Sequence, residues 1–434
     1  MRADVRLPSR PGIVLLAALF VFAATSCGSE SKRTIRVGFL GACKGPPGTW
    51  YDESVAGAEL PFIERGAKPL GPKPSDGITS VSIDGARVEL ILGCSFAGSD
   101  SNELAEMRQL VEQRGVDVLV NEPSLTAEDA ELVDDYAVRQ PNVTFFGGDP
   151  RGPTSNMFRV NPDGPAVSAG LGAYAYRTLG WRTAVTFGED DSFGWPITAG
   201  FVAEFCSLGG TVVDRYWTTF STDDWSTKVR QIPSGVDGVA LMAGFQATNS
   251  FFATYRRLQA DLPKHVVMSA YPLSLGGTAP AGVVSAGYLP LASHARSWSR
   301  YLREFAAAYP QYAKEAGGAT DIFVYDPVAA TLDAIDRVHG DLSAGERRFR
   351  AALGRVRLKT PVGIVRLDHD HRYVGPNFLM RMETSAGGKL VARTIRVIPN
   401  VDASHDGALD AIHPDPATRT EPVCRKGHVP TWAR

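Results

Sequence analysis

Hydrophobic positions along the chain alternate between two spacings. Thr183–Phe187, TAVTF, places Val185 and Phe187 on one face of a strand; GEDDSFGWP interrupts it; and ITAGFVAEFCSLGG then sets Ile197, Phe201, Phe205 and Leu208 on one side of a helix. TVVDRYW follows as a second strand. Pro196 suits a first helical turn because no amide hydrogen is needed there, and Gly209 or Gly210 suits a left-handed terminus. A β-loop-α-β unit of this kind carries ligands on the loop beyond the strand's carboxyl end. The acidic, aromatic loop from Gly188 to Trp195 is therefore expected to touch a small molecule, with a solvated turn as the competing reading.

The same rhythm runs on both sides of that unit. From Thr34, strand IRVGFL precedes a helix from Ser54 to Arg65, and a Pro/Gly-rich loop, Lys68 to Gly77, leads to strand VELIL. SDSNELAEMRQLVEQRG reads as a capped helix closed by Gly115; then come strand VDVLV, a helix from Thr126 to Arg139 and strand NVTFF. A second set begins after MFRVNP, with a helix from Pro165 to Leu179, a short helix from Asp224 to Ile232, strand GVALM, a helix from Ala247 to Gln259 and strand HVVMS. Strands alternating with helices predict parallel sheets wrapped by helices, and two sets predict two α/β lobes. Helices are expected at Arg296–Tyr309, Asp321–His339 and Ser343–Val356, and antiparallel strands from VGIVRL onward. Residues 401–434, polar and rich in Asp, His and Pro, are expected to form a surface tail held by Cys424.

The amino terminus departs from this pattern. Arg2, Arg6 and Arg10 precede an apolar run, Ile13 to Ala24, that is short for a membrane span and right for a signal-peptide core. Ala24-Thr25-Ser26-Cys27 resembles the bacterial lipobox, which makes residues 1–26 the signal peptide, Cys27 the acylated residue and 27–33 a polar tether; ordinary cleavage after a small residue is the alternative. The expected location is the outer face of the bacterial cytoplasmic membrane.

Cysteine usage agrees with export. Cys43, Cys94, Cys206 and Cys424 remain after Cys27, an even number that favours disulfides, with three pairings possible. Cys43 follows RVGFL and Cys94 follows VELIL; parallel neighbours would bring both thiols to one sheet edge, pairing Cys43 with Cys94 and leaving Cys206 for Cys424. No short Cys-x-x-Cys pair suggests a metal site. Charge is close to balanced over the 434 residues, 45 basic against 47 acidic side chains, so the bulk composition carries no nucleic-acid footprint.

IRVGFLGACKGPPGTW with AGAEL, GARVELILGCS, GVDVLVNEPS, FFGGDP, WRTAVTFGEDDSFG, GVALMAGFQ and IFVYDPVAATLDAI, in this order, resemble the type I periplasmic-binding-protein family, in its leucine/isoleucine/valine-binding branch. The resemblance implies two Rossmann-like lobes with parallel sheets joined by a three-crossover hinge: residues 34–160 plus 285–360, and 161–284 plus 361–400. It also implies an extracytoplasmic receptor that closes on a small organic ligand, amino-acid-like, amide or aromatic acid, and passes it to an ABC permease. No cofactor, metal or catalysis is implied, and a monomer tethered through lipid is expected.

By the same resemblance the ligand meets Trp50, Glu122, Ser124, Asp149 and Arg151 from the first lobe and Phe193, Phe245, Gln246 and Tyr271 from the second. Large aromatics suit closure because they bury area at low entropy cost. GGDPR stands where the family carries a hydroxyl-rich loop, and Tyr271 stands where an acidic residue usually meets the ammonium, so the pocket departs from one for a standard α-amino acid. A sensor of the same fold is the second reading, and a hydrolase using His294 or His265 the third. Three motifs have plainer readings: DHDH, with His369 and His371, as a solvated hairpin turn; GLGAYA, Gly170 to Ala175, as the interior of a helix; and Arg347, Arg348 and Arg350 as a solvated basic face.

Overall fold

The computed structural model describes residues 1, 34–96, 100–122, 127–147, 156–191, 194–219, 224–256, 262–270, 273, 279–343, 346–409 and 418–434. Among these, six strands make the first sheet: β1 (Ile35–Lys44), β2 (Val81–Ile83), β3 (Ala86–Phe96), β4 (Val118–Asn121), β5 (Thr144–Phe146) and β6 (Met157–Phe158), in the order β2-β3-β1-β4-β5-β6. β1 runs parallel to β3 and β4, and the row continues parallel through β5 to β6. Only β2 is antiparallel; it forms a hairpin with β3 between the Lys68–Gly77 loop and the expected VELIL strand.

The larger sheet holds β7 (Thr183–Glu189), β8 (Thr211–Thr218), β9 (Gly238–Met242), β10 (Val266–Ser269), β11 (Val284–Gly287), β12 (Arg357–Thr360), β13 (Gly363–Leu367), β14 (Tyr373–Thr384) and β15 (Leu390–Asp402). Its order is β12-β13-β14-β11-β10-β9-β7-β8, with β15 paired to β14. β7 to β11 are mutually parallel where they pair, while β12 to β15 join antiparallel. Every residue of β4, β9 and β10 is buried, as expected of central strands covered by helices on both faces.

The chain passes between lobes three times. After β6 it enters the larger lobe; after β11 the helices Arg296–Ala308 and Ala319–Arg337 return to pack on the first, where Tyr325 donates to Glu64 (2.8 Å) and Tyr312 to Asp52 (2.7 Å). After the Arg347–Leu353 helix it joins the larger sheet at β12. Residues 285–287 and 357–360, expected in the first lobe, lie in the larger sheet: Ser285 pairs with Met268, and Leu358 with Val365.

Contacts tie the lobes at these crossings. Asn161 donates to the Phe323 carbonyl (2.5 Å), Tyr288 to the Ala319 carbonyl (2.9 Å), and Ser297 to the Pro361 carbonyl (3.1 Å). The DHDH segment does turn between β13 and β14, but it is not fully solvated. His371 stacks on Phe158 with ring centroids 4.2 Å apart, and its carbonyl accepts from the Arg159 amide at 2.8 Å.

Three further expectations change for physical reasons. Gly170 adopts φ 89° and breaks the helix expected from Pro165 to Leu179; a β-carbon there would lie 2.0 Å from Ile398 Cδ1. The freed amides of Gly170 and Ala173 donate to the buried Glu204 side chain (2.8 and 2.9 Å), so the GLGAYA segment serves an internal acid. Arg350 is not a solvated charge: it donates to Thr144, to the Pro141 and Val143 carbonyls and to Glu346, clamping its helix to the β5 edge.

The carboxyl-terminal segment is also more than a surface tail. His405 is fully buried against Glu204 (3.2 Å) and meets Trp432 edge-on, while Trp432 and Ala433 belong to the larger lobe's apolar core. Cys424 is bonded to Cys206, with Cα atoms 5.3 Å apart. A polar composition hid these few apolar anchors, each of which packs against distant elements.

Candidate functional site

In a parallel sheet, ligand loops leave from the carboxyl ends of the strands. On the first lobe those ends are built from β1, β3 and β4. Gly41 of β1 aligns with Cys94 of β3, and Cys43 is bonded to Cys94 across the two strand ends. Tyr51, the first residue of helix Tyr51–Ile63, donates to the Gly93 carbonyl (2.9 Å) and fixes that helix over the same edge. The GPPGTW turn begins at Gly45, φ 79°, and folds back so closely that a β-carbon on Gly48 would lie 2.7 Å from the Cys43 carbonyl. Trp50 ends this turn, half-buried, at the start of the helix.

Glu122 directly follows β4. Its Oε2 accepts the Ala42 amide at 3.2 Å, and a β-carbon on Gly41 would sit 2.9 Å from that oxygen. Burial pushes this carboxyl up to about 7. Asn121 beside it donates to Glu103 at 3.1 Å, which holds the β4 end against the helix Asp100–Arg108.

The larger lobe presents a buried acid at the carboxyl end of one of its own parallel strands. Glu189, the last residue of β7, is 2% exposed, and its Oε1 accepts the Gly244 amide at 2.8 Å. Burial, helped by the Asp191 charge and opposed by that amide, pushes it up to about 8. Gly244 has no side-chain alternative, because a β-carbon would lie 2.3 Å from Glu189 Oε1. The other acids of the expected ligand loop do structural work. Asp191 caps the Gly194–Ser207 helix through the Gly194 amide (2.7 Å), and Asp190 accepts from Trp195 and Arg419.

Of the residues expected to meet ligand, Trp50 and Glu122 thus lie at strand ends of the first lobe. Phe245 and Gln246 open the helix Phe245–Tyr255 directly after Gly244, beside Glu189, with side chains outside the described residues. Ser124, Asp149, Arg151, Phe193 and Tyr271 lie outside the described residues, as does Cys27. Glu189 lies in the Gly188–Trp195 loop expected to touch a small molecule but is not one of the residues singled out there; the GED tripeptide at the end of a strand is its one sequence signal. His294 is exposed on the segment leading into the Arg296–Ala308 helix, and His265 holds the Asp237 carbonyl (2.9 Å) at the opposite, amino end of the larger sheet. Neither histidine stands at these strand ends.

Two lobes, each built on a row of parallel strands whose carboxyl ends bear a desolvated acid and close-packed glycines, define an α/β binding protein that can enclose a small molecule. The chain belongs to the periplasmic binding protein family, whose model matches residues 34–389. Among solved structures it is similar to an ABC transporter substrate-binding protein from Sphaerobacter thermophilus, at 23% identity over 85% of this chain and 99% of that one, TM-score 0.74. It is also similar to a solute-binding protein of an ABC transporter from Rhodopseudomonas palustris HaA2 in complex with p-hydroxybenzoic acid: 17% identity, 85% and 97% coverage, TM-score 0.70. A leucine-binding protein from Thermotoga maritima MSB8 aligns at 16% identity over 84% and 99%, TM-score 0.66. No curated protein matches the chain. Among the described residues no helix is long and apolar enough to cross a membrane.

Proposed function

We propose that this protein is the extracytoplasmic receptor of an ABC importer, tethered by lipid on Cys27, that closes its lobes on a small organic molecule without transforming it. The observation that carries the reading is the pair of desolvated carboxyls, part-buried Glu122 and buried Glu189, at the carboxyl ends of strands in two different sheets, each holding one backbone amide. Enclosure then takes Trp50 and Glu122 from one lobe and Glu189, with the Phe193, Phe245, Gln246 and Tyr271 loops, from the other. Ser124, Asp149 and Arg151 complete the first-lobe rim. Family membership and the transporter receptors of the same fold support this division of the chain.

The two carboxyls also divide the ligand classes. Held as neutral acids they donate hydrogen bonds to a carboxylate, as an aromatic acid would offer; ionised they pair with an ammonium. Affinity for an aromatic acid falls as pH rises through about 7 to 8, whereas affinity for an amine rises over the same interval.

A thermal-shift screen of amino acids, amides and aromatic acids, repeated at pH values on either side of that interval, tests the reading, since a ligand bound by the native state raises its stability by mass action. Stabilisation that vanishes in Glu189→Gln places the ligand at the strand ends. A ligand indifferent to Glu122→Gln, Glu189→Gln and Trp50→Ala alike removes this cleft from consideration. Cys27→Ala releases the protein or leaves an unprocessed precursor; a processed, membrane-bound variant rules out the lipid tether.

A further inference from the structure

We propose that the larger lobe carries a second site, remote from the cleft, that binds a phosphate oxyanion. A cavity of about 350 Å³ opens between the Tyr174–Thr178 turn and the β14–β15 hairpin, and three of its lining residues are Arg177, Arg381 and Arg396. None of the lining residues is acidic.

Among the described residues, the hydrogen bonds of these guanidiniums go to neutral oxygens. Arg177 donates through Nε to the Ala433 carbonyl at 2.6 Å, Arg396 through Nη2 to the Trp432 carbonyl at 2.7 Å, and Arg381 reaches the Tyr174 hydroxyl at 3.5 Å. Their neighbour Arg393, directly opposite Arg381 across the strand pair, is neutralised by Glu383 at 2.8 Å. The three cavity arginines thus gather positive charge at one opening while two of them are held in fixed orientation by successive backbone carbonyls. A guanidinium has five donors in a planar fork. One or two are spent on these carbonyls, and the remainder suit the several acceptor oxygens of a phosphate, which would offset the mutual repulsion.

Position separates this site from the ligand cleft. Arg381 lies beside Val284, the first residue of β11, and Arg177 precedes the start of β7, so both sit toward the amino ends of the parallel strands. The cleft loops leave from the other end. Buried Leu379 and exposed Ile395 supply an apolar wall beside the charges. Free phosphate and the headgroup of an anionic phospholipid offer the same chemistry to this cavity.

The exported full-length protein is titrated with inorganic phosphate at constant ionic strength in a chloride background, following melting temperature and heat of binding, alongside Arg381→Gln and Arg396→Lys. Cosedimentation with phosphatidylcholine vesicles, with and without phosphatidylglycerol, forms the second arm, with Cys27 identical in all proteins. Saturable phosphate binding, weakened about tenfold or more by Arg381→Gln and less by Arg396→Lys, supports a free-phosphate site. Phosphatidylglycerol-dependent sedimentation reduced by the same substitutions supports the lipid headgroup. Among the described residues the hydrogen bond of Arg381 goes to Tyr174 and not to the carboxyl-terminal segment, so Arg381→Gln is expected to fold; were it not to fold, Arg396→Lys carries the comparison alone. Equal behaviour of wild type and the folded variants in both arms overturns the proposal.

Discussion

Replacing Glu189 with Gln keeps an acceptor for the Gly244 amide and removes the charge. In the wild type the carboxyl, ordinarily near 4.5, is held protonated up to about 8 by burial and by the Asp191 charge. Between those values the native state binds a proton that the unfolded chain has released, so stability falls as pH rises through the interval and the loss is complete above about 8. At about 1.36 kcal/mol per pH unit the ceiling is roughly 5 kcal/mol. Local relaxation and water entry bring the expected value nearer 2 kcal/mol. Glu189→Gln lacks this term and should equal the wild type near about pH 4 while exceeding it by roughly that amount at about pH 9. Denaturant unfolding of both proteins across the range measures the difference. Other buried acids, such as Glu59 and Asp321, both pushed up to about 8, titrate alike in the two proteins and cancel. A difference that is flat with pH, or that favours the wild type at high pH, would refute the assignment of Glu189 as a buried, proton-holding acid.

Trp50→Ala, which truncates an aromatic at the mouth of the proposed cleft, should weaken the ligand found by screening by about 2 kcal/mol, some thirtyfold in dissociation constant, while leaving unfolding cooperative; unchanged calorimetric affinity would move the site away from the GPPGTW turn. Trp432→Ala should destabilise by about 3 kcal/mol in urea unfolding, because Trp432 is 7% exposed inside the larger lobe's core; a loss under about 0.5 kcal/mol would return that segment to the surface.

The alternation of strand and helix was legible because period 2 and period 3.6 are local properties: GVALM is strand β9 as read, and HVVMS is β10 save for His265, which ends the helix before it. The β2–β3 hairpin was legible too: Asp84-Gly85 is a two-residue turn signal between apolar alternations, and both residues adopt positive φ, 47° and 82°. It was overlooked because the preceding Pro/Gly-rich stretch reads as one loop. Other features had no local signal. Burial of Glu189 depends on an amide 55 residues away, and Arg350 loses its solvent to carbonyls of the segment leading into β5, more than 200 residues earlier. Cys43 and Cys94 were pairable because one strand register determines both, whereas Trp432 gave no sign of which lobe would receive it.

The order of strands in the larger sheet sets a problem of timing. β11 is buried in full, and one of its edges is covered by β14, which begins 86 residues after β11 ends, once the helices of the other lobe have been made. A chain emerging from one end onward therefore carries a completed parallel row, β7 to β11, whose last strand offers unpaired amides and carbonyls to any extended peptide nearby. Synthesis and export of the intervening segment must outpace such pairing, or something must shield the edge meanwhile. Pauses placed between Gly287 and Tyr373 should thus raise aggregation more than pauses placed after Thr384, when the sheet has closed against its own chain.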